Sequence, residues 1–563
     1  PETADEKTMG NTFIFHVETA DRPVAFKAPA YAYDITKMEF MKWIDKKENF
    51  RRIGPHGFDW TFEYGGQLDV IKNAEDIDKE LRCLTMGIWD YVKNSGKFPE
   101  ADNRRLVSVC CKSGSRESRR IIGEYMLTEN DIEAKKDFPD AVAIGGWPMD
   151  VHAPLGIYDP NPASNFIPVT GIYNIPLRCL YSKDIGNLFM AGRDAGFTHI
   201  ALGSARVIAT CGCMGQAVGT AAVICNKYGI LPREAVRNPA YMEEIQSLLM
   251  WDDQTILHRK DSELSGFSAS ADSQRAYENT EKDGEMLLER AYGLALMCQT
   301  DSLCSLEVKL RVERDTVLTV DCLSGVHPET YLPEFLDKTL SIPLKKQEGW
   351  VTLPLNAQRG QDGKVYLVFR QNPDITLFTS RYQPIGAVTH RYHTEASHDN
   401  KNHDTIPLPH QKVGEYIGID RTYEEKKNIL FRNILPPQSP YEASSAVNGY
   451  SRPYGNPNLW QPASLPATLT LTAGKPQKAK EVALVFNTRM ETDEDFHSRL
   501  PFCQVKDFTL TVTYSDGKTQ SWEERDNVLR QRVFPLSGEV VKMEITLQSS
   551  YGELPGIFAV KLR

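Results

Sequence analysis

Charged side chains crowd into one short block of this chain. Four of five consecutive positions, Arg116, Glu117, Arg119 and Arg120, are charged, and they follow an apolar run from Leu106 to Cys111 that predicts a buried strand. Guanidinium groups match oxyanions through paired hydrogen bonds. The block therefore predicts either an anion clamp, with Arg116 and Arg120 binding the substrate, or a network of ion pairs between a loop and a sheet.

Two histidines and an aspartate are the next residues that could do chemistry. Asp150 and His152 lie just beyond a predicted strand in residues 141–154, and His199 precedes a predicted helix. Imidazole titrates near neutrality without help, so His152 and His199 are candidate proton carriers. Asp150 is a candidate substrate-binding residue, because open sheets bind ligands at their strand ends. The alternative for each histidine is a surface or hydrogen-bonded core position.

The elements that must position these groups centre on residues 187–228. Leu188 to Ala191 predicts a short buried strand, a Gly-Arg-Asp-Ala-Gly turn follows, and about seven turns of helix begin near His199. Small residues recur along this helix at three-to-four spacing: Gly203, Ala205, Ala209, Gly212, Gly215, Gly219 and Ala222. An interior glycine costs about 1 kcal/mol relative to alanine, which favours close approach of a backbone or a flat ligand. The alternatives are a tightly packed helix and a cofactor site. A membrane span is not expected here, because Arg206 and Gln216 fall inside the helical segment and its average hydropathy is too low.

The run AGRDAGFTHIALGSARVIATCGCMGQAVGTAA resembles the C-terminal flavin motif of flavoproteins with two dinucleotide-binding domains. More narrowly, it resembles the FAD-dependent oxidoreductase family of gut and soil bacteria. The resemblance implies FAD as cofactor, with Asp194 hydrogen-bonded to the ribityl chain and the backbone near Gly203 and Ser204 facing the pyrimidine end of the ring. The cofactor-binding residues that it implies are Gly192, Arg193, Asp194, Ala195, Leu202, Gly203 and Ser204.

Members of that family also carry an N-terminal dinucleotide fold with a G-x-G-x-x-G fingerprint that cradles the pyrophosphate. We find no such fingerprint in this sequence. We therefore expect either that the sequence is a fragment or that a second chain supplies about 100 to 200 further residues. An R-E-S-R-R-like block is shared with the family, which favours an active-site role for Arg116 and Arg120.

Other patterns predict the surroundings of these residues. Alternating apolar positions from Phe13 to Val17 predict a half-buried strand. Asn73 is placed to begin a helix with one apolar face, and Gly96 is placed to end it; the apolar positions of that helix are Ile77, Leu81, Leu84 and Ile88. Trp60 and Glu63, near the Gly65-Gly66 turn, are candidate substrate contacts in a cleft, but a core position is favoured for Trp60 because it is an aromatic residue beside a turn. The helical pattern fades through residues 236–262.

The whole chain has 563 residues and a formal net charge of −10. This balance gives no basic footprint for nucleic acid and no basic amphipathic stretch for a membrane surface. Its 11 cysteines include no pairs at zinc-ligand spacing, so we expect no metal site. The cysteines do not identify the cellular compartment. We expect a soluble protein of the bacterial cytoplasm or periplasm, with homo-oligomers or a second chain as candidate partners.

The predicted fold class is multidomain α/β plus all-β. Residues 1–262 are predicted as a partial FAD-binding α/β domain, residues 263–407 as a β-sandwich, and residues 408–440 as a proline-rich linker. Residues 441–563 resemble a discoidin-type, galactose-binding-like jelly roll, from the Asn448-Gly449 turn, the Asn458-Leu459-Trp460 step and the strands after them. Loops of that fold commonly hold glycan or calcium, but we favour a core position for Trp460.

These patterns together predict an FAD-dependent oxidoreductase that passes a hydride between flavin and a small molecule, with carbohydrates among the candidate substrates. In this hypothesis His199 or His152 moves the proton, and Arg206 joins Arg116 and Arg120 in balancing anionic oxygens. The cofactor supplies the redox chemistry. The alternatives are a carbohydrate-binding accessory protein without cofactor and one chain of a split flavoenzyme.

Overall fold

A computed structural model describes residues 7–44, 52–58, 60–261, 264, 266–397, 405–421, 427–488 and 503–563. The chain divides into two compact units, Pro1–Ile245 and Gln246–Arg563. The predicted boundary at residues 262 and 263 lies outside the described residues.

Six α-helices are described, and the first of them, α1, is the helix that the apolar spacing predicted. The helices are α1 Ala74–Asn94, α2 Glu129–Glu133, α3 His199–Ala205, α4 Ile208–Tyr228, α5 Pro232–Arg237 and α6 Pro239–Trp251. The four predicted apolar positions of α1 are all buried. Gly96 has a positive φ of 73° just after its end, a conformation that favours glycine. Helix α6 lies within residues 236–262, where the helical pattern was expected to fade, so that prediction was wrong for residues 239–251.

The strands of the first unit pair in twos. They are β1 Asn11–Thr12, β2 Phe15–Thr19, β3 Ile53–Gly54, β4 Gly57–Phe58, β5 Glu63–Tyr64, β6 Arg104–Val109, β7 Ala141–Gly145, β8 Met149–His152, β9 Ser164–Ile167 and β10 Tyr173–Pro176. The pairs β1–β5, β2–β6, β3–β4, β7–β10 and β8–β9 are all antiparallel. The described part of this unit therefore has no open parallel sheet whose strand ends would gather the functional residues.

Two local predictions in residues 187–228 were wrong. Leu188 to Ala191 is not a buried strand: a single bridge joins Phe189 to Tyr181, and the side chains of residues 188–190 are only half-buried. The long helix is split into α3 and α4, because Val207 has extended backbone with ψ of 149°. Val207 and Ile208 are both β-branched and favour helix less than unbranched residues do.

The small residues of α3 and α4 have different surroundings. A methyl group on Gly203 would lie 3.0 Å from the backbone N and O of Asp150, so this glycine lets α3 pack closely on β8. A methyl group on Gly212, Gly215 or Gly219 would contact no described residue within 4 Å. Ile208, at the start of α4, is 90% exposed.

Helix α4 is long and apolar enough to cross a membrane by length and composition alone. Its best 18-residue window has a mean hydropathy of 1.6, and 33% of that window is buried. The expectation that its average is too polar was therefore wrong, because the window that meets the criterion lies within α4 and leaves out Arg206. Core helices of soluble proteins have the same length and composition, so these properties alone assign no membrane.

Two β-sandwiches make up most of the second unit. The strands are β11 Phe267–Ala271, β12 Gly284–Leu287, β13 Ala291–Met297, β14 Ser302–Val312, β15 Thr316–Ser324, β16 Phe335–Leu344, β17 Gln347–Gln358, β18 Lys364–Phe369, β19 Ile375–Ser380, β20 Ala387–Thr394, β21 Ile406–Pro407, β22 Tyr416–Arg421, β23 Asn428–Ile429, β24 Phe431–Leu435, β25 Ala467–Lys478, β26 Glu481–Phe486, β27 Val505–Tyr514, β28 Thr519–Glu524, β29 Gln531–Pro535, β30 Glu539–Ser550 and β31 Ile557–Leu562.

The first sandwich uses more of the chain than the sequence suggested. A seven-stranded sheet, in the order β16-β15-β18-β13-β20-β22-β21, and a six-stranded sheet of β12, β14, β17, β19, β23 and β24 enclose an apolar core. Strands β22, β23 and β24 lie between residues 408 and 440. That stretch is therefore not a linker, because its backbone pairs with both sheets of the sandwich.

The second sandwich pairs strands that are far apart in sequence. A five-stranded sheet, β11-β25-β30-β27-β28, faces a three-stranded sheet, β29-β26-β31, across an apolar core that includes the fully buried Trp460. Residues 267–271 of β11 pair with residues 469–473 of β25, and the first sandwich lies between these strands in the chain. An α/β first unit followed by two sandwiches confirms the predicted fold class.

Candidate functional site

A network of buried charges occupies the first unit. We call it the charged network, and its members are Glu63, Arg116, Glu117, Arg120, Asp150, His152, His199 and Arg206. Strand β5 places Glu63 in this network. The loop before Tyr158 packs against the Glu63 carbonyl at Gly156, which has a positive φ of 57°. Any side chain at position 156 would overlap that carbonyl, so a glycine is required there.

His152 lies between two carboxylates. Its Nδ1 is 2.7 Å from Glu63 Oε1 and its Nε2 is 2.9 Å from Asp150 Oδ2. The ring is 1% exposed. Burial disfavours the charged imidazole, but the hydrogen bonds to Asp150 and Glu63 outweigh it, so the pKa of His152 is raised.

This geometry does not support the predicted role of His152 as a proton carrier. Each ring nitrogen of His152 faces a carboxylate, and these contacts raise the pKa of His152 and favour its charged form. A proton carrier needs a nitrogen that reaches the substrate. We therefore interpret His152 as a buried positive charge that holds Glu63 and Asp150 in place.

Asp150 joins this cation to Arg206. Arg206 Nη2 lies 3.0 Å from Asp150 Oδ2 and 3.1 Å from His152 Nε2, so two donors share one carboxylate. Burial alone would raise the pKa of Asp150, but the bonds from His152 and Ser164 and the charge of Arg206 lower it. Burial lowers the pKa of Arg206 from its very high ordinary value. Its buried Nε has no hydrogen-bond partner among the described residues.

A second carboxylate–histidine pair has a different exposure. His199, the first residue of α3, has its Nδ1 2.9 Å from Glu117 Oε2 and 3.1 Å from Oε1. Glu117 is buried, and it also accepts a hydrogen bond of 3.0 Å from the backbone N of Met9 and pairs with Arg120 at 3.1 Å. The His199 side chain is partly exposed, and its Nε2 has no hydrogen-bond partner among the described residues. Of the two predicted histidines, this one has a nitrogen free for a substrate.

Among the arginines of the charged network, Arg116 makes the most hydrogen bonds and ion pairs within the protein. Its Nη1 donates to Gly10 O at 3.1 Å and Thr12 Oγ1 at 2.6 Å, and its Nη2 donates to Trp60 O at 3.2 Å and pairs with Glu63 at 2.9 Å. These bonds correspond to the ion-pair alternative from the sequence. Arg120 and Arg206 make fewer such bonds, so they are better placed for an anionic ligand.

Trp60 is not the core residue that the sequence predicted. Its side chain is 53% exposed, although the ring is held from one side by His152, at 5.2 Å between ring centroids, and by the Arg116 guanidinium, 5.8 Å from the ring centroid. The core prediction was wrong because the position beside the Gly65–Gly66 turn is backed by charged groups and not by apolar side chains.

The turn before α3 exposes its polar residues. Gly192 has a positive φ of 88° and Ala195 is buried. Arg193 is exposed, and its Nη1 donates to the Ser115 carbonyl. Asp194 is half-buried and accepts a hydrogen bond of 3.4 Å from Ser118. These four residues keep their predicted cofactor role as a prediction.

The predicted cofactor residues of α3 are turned into the protein. Leu202 and Ser204 are fully buried, and Gly203 packs on β8. Ser204 Oγ lies 2.7 Å from Tyr173 OH and donates to the Trp147 carbonyl, so its hydroxyl is used internally. The side chains of Leu202 and Ser204 are therefore used inside the protein, and the contact of a cofactor with the backbone near Gly203 and Ser204 stays a prediction.

Sequence reasoning did not connect the two glutamates of the network with their histidines. Glu63 was considered as a substrate contact together with Trp60, and Glu117 was treated as one of four charges in a block. A glutamate flanked by arginines, and another inside an aromatic run, were the available signals, but neither identifies its histidine. Glu63 and His152 are 89 residues apart in the chain, and Glu117 and His199 are 82 apart.

The fixed charges of the charged network balance. Arg116, Arg120 and Arg206 face the three carboxylates of Glu63, Glu117 and Asp150, and the raised pKa of His152 favours its charged form. Arg206 also experiences the charges of Arg116, Glu63 and Glu117, which links the two histidine pairs electrostatically.

This fold and this site define a multidomain protein whose α/β unit holds a buried network of charges around two carboxylate–histidine pairs. Residues 2–249 match the model of the family described as FAD dependent oxidoreductase. The resemblance that the flavin-type motif suggested is thereby confirmed for the first part of the chain. No curated protein matches the sequence.

Carbohydrate-binding modules are among the solved structures similar to this chain. A family 32 carbohydrate-binding module from Streptococcus pneumoniae EndoD is 17% identical, covers 22% of this chain and 85% of its own, and has a TM-score of 0.18. The family 32 module of NanJ from C. perfringens, solved in complex with galactose, is 17% identical, with 22% and 86% covered and a TM-score of 0.17. A chitosan-binding module from Paenibacillus sp. IK-5 is 12% identical, with 22% and 84% covered and a TM-score of 0.17.

Proposed function

We propose that this chain is part of an FAD-dependent oxidoreductase that passes a hydride between flavin and a small-molecule substrate, with His199 moving the accompanying proton. The observation that carries the proposal is the Glu117–His199 pair in the unit that matches the oxidoreductase family. A buried carboxylate on Nδ1 fixes the ring orientation and leaves Nε2 to exchange a proton with substrate.

The turn at residues 192–195 has a hydrogen-bond acceptor that suits a flavin. The Asp194 carboxylate has one weak hydrogen bond, from Ser118 at 3.4 Å, and retains acceptor capacity for a hydroxyl group. Asp194 would therefore hold the ribityl chain, as the family resemblance implies. Arg193, exposed beside it, would add positive charge. When bound, FAD supplies the hydride acceptor or donor.

The remaining charged residues divide into two roles. Arg120 and Arg206 face anionic oxygens and stabilise negative charge on the substrate, because guanidinium groups pair well with oxyanions. His152, Glu63 and Arg116 hold the site in shape through bonds that are already made. Asp150 orients Arg206 and does not bind substrate directly.

The first test is the visible absorption spectrum of the purified chain, with and without added FAD, and mass spectrometry of any compound that heat releases. A flavin spectrum allows substrates to be screened by bleaching. The His199→Ala variant is then expected to reduce flavin at least 100-fold more slowly with the substrate that bleaches it. The His16→Ala variant, at an exposed position on β2, serves as the matched control and is expected to leave the rate unchanged. An unchanged rate in His199→Ala would remove the proton role.

The same preparation separates the alternatives. A chain that stays colourless with FAD and binds a glycan array would favour the carbohydrate-binding accessory protein. A second chain that copurifies and carries a G-x-G-x-x-G fingerprint would favour the split flavoenzyme. Either result would replace the proposal for the isolated chain.

A further inference from the structure

A cavity of about 670 Å³ lies on the first sandwich, where the chain crosses between the two sandwiches. Its walls come from strands β14, β17 and β24 of the six-stranded sheet and from two crossing segments, residues 274–278 and 437–439. The volume is in the range of pockets that bury drug-sized ligands. The cavity therefore has room for a ligand larger than one small ring.

The crossing segments that wall the cavity are held by hydrogen bonds inside the protein. Tyr277 is buried, and its hydroxyl donates to Gly386 O at 2.6 Å. The Gln438 side chain accepts a hydrogen bond of 2.7 Å from the backbone N of Gln299 and donates one of 3.0 Å to Thr300 Oγ1. The walls are therefore preformed, and a preformed site loses less conformational entropy when a ligand binds.

Polar side chains from both crossing segments and from two strands of the sheet are available to a ligand in this cavity. The lining side chains that make no hydrogen bond or ion pair with another described residue are Gln274, Glu278, Ser305, Thr352 and Ser439. Arg275 also lines the cavity. Its guanidinium carbon lies 4.3 Å from the centroid of the Tyr382 ring, and its N–H groups donate to no described residue.

The charges around the cavity offset each other. The Glu307 carboxylate is already paired with Arg432, whose Nε lies 2.7 Å from Oε2. The carboxylate of Glu278 and the guanidinium of Arg275 remain, so a ligand of either net charge would have one unfavourable neighbour. The carboxylate accepts hydrogen bonds and the guanidinium donates them, whereas the hydroxyl and amide side chains of the lining do both. A neutral ligand rich in hydroxyl groups can bond to every one of these partners.

The lining also has an apolar part. Leu435 lines the cavity and is 51% exposed, next to Ile434. A sugar ring combines hydroxyl groups at its rim with a C–H face that packs on such a side chain. We propose that this cavity binds a neutral oligosaccharide, with its hydroxyl groups on Glu278 and Arg275 and the C–H face of one ring on Leu435. This site goes beyond the proposed flavin chemistry, and it belongs to the first sandwich and its two connections.

The test is isothermal titration calorimetry of the full chain with maltotriose, cellotriose and lactose. Sorbitol is the matched polyol without a ring, and triglycine is a zwitterionic peptide that could use the same carboxylate and guanidinium. At least one of the three sugars is expected to bind at least tenfold more tightly than sorbitol and triglycine, because neither of these offers hydroxyl groups around an apolar ring face.

Two sets of variants locate the bound sugar. Glu278→Ala is expected to weaken binding of the best sugar about tenfold, and Glu278→Gln, which keeps an acceptor, to weaken it about threefold. Glu281→Ala is the matched control, because Glu281 is exposed and does not line the cavity. Thr352→Trp fills the cavity from an exposed position on β17 and is expected to weaken binding at least tenfold, whereas Thr519→Trp, at an exposed position on β28, is its control. Both controls are expected to stay within twofold.

Three results would overturn the inference. They are no binding of any of the three sugars, binding of sorbitol or triglycine as tight as that of the best sugar, and equal losses in the cavity variants and their controls. Sugar binding that survives both Glu278→Ala and Thr352→Trp would place the sugar elsewhere on the chain and would also contradict the proposal. Calorimetry needs no flavin, so a failure of flavin reduction with intact sugar binding would remove the oxidoreductase proposal alone.

Discussion

The His152→Gln substitution tests whether the buried imidazole is a fixed cation. Glutamine is similar in length but stays neutral, and it donates to only one of the two carboxylates that His152 joins. Removing one partner of a buried ion pair costs about 3 to 5 kcal/mol. Glu63 keeps Arg116 at 2.9 Å and Asp150 keeps Arg206 at 3.0 Å, so we expect the lower value, about 3 kcal/mol.

The loss must depend on pH in one direction. The pKa of His152 in the folded protein is raised above its ordinary value of 6.5. Its charge therefore stabilises the fold fully below about pH 6.5, and this stabilisation is lost as the pH rises through the folded pKa. The difference between the wild type and His152→Gln is expected to be largest near pH 5.5 and to shrink toward pH 9.

Hydrogen exchange in peptides that cover residues 149–167 measures this difference locally in the full chain. At pH 5.5, after correction for intrinsic rates, about 3 kcal/mol corresponds to roughly 100-fold faster exchange in the variant. His16→Gln, at an exposed position, is the matched control and is expected to change exchange by less than about 0.5 kcal/mol. A difference that is constant or that grows with pH would mean that His152 is neutral in the fold, and the reasoning would fail.

Three further substitutions test the packing of both units by thermal unfolding. Gly66→Ala would push a methyl group into two backbone carbonyl oxygens and is expected to cost more than about 2 kcal/mol, whereas Gly215→Ala, with open space around it, is expected to stabilise α4 by up to about 1 kcal/mol. Lys364→Met leaves a buried carboxylate without its cation and is expected to cost about 3 kcal/mol, against less than about 0.5 kcal/mol for the exposed Lys345→Met. Trp460→Phe replaces the buried indole by a smaller ring and removes its hydrogen bond of 3.0 Å to a backbone carbonyl, so we expect a loss of about 2 kcal/mol. Equal effects of Gly66→Ala and Gly215→Ala, equal effects of Lys364→Met and Lys345→Met, or an unchanged Tm in Trp460→Phe would contradict the packing argument.

The features that the sequence predicted well are those that depend on near neighbours. Helix α1 follows from apolar residues at three-to-four spacing, and the alternation from Phe13 to Val17 predicted a strand that overlaps β2. The arginine block was recognised as a cluster because its members are adjacent. In each case the residues that form the pattern are close together in the chain, within one helix or one strand.

The features that the sequence could not predict depend on distant partners. Nothing near His152 reveals Glu63, and nothing near Trp60 reveals that its neighbours are cations. The apolar run at Leu188 had the composition of a buried strand but found only one pairing position, at Tyr181. Tertiary partners decide such cases, and a single sequence does not contain them.

The pairing of β11 with β25 makes the C-terminal jelly roll discontinuous in sequence. A fragment that starts at residue 441 would contain seven of its eight strands but would leave residues 469–473 of β25 as an open edge. Unpaired edges of this kind recruit other strands and promote aggregation. Glycan-binding experiments on this sandwich should therefore use a chain that retains residues 266–272, either as the whole second unit or with a short connection in place of the first sandwich. The excised insertion would then report whether the two sandwiches fold independently.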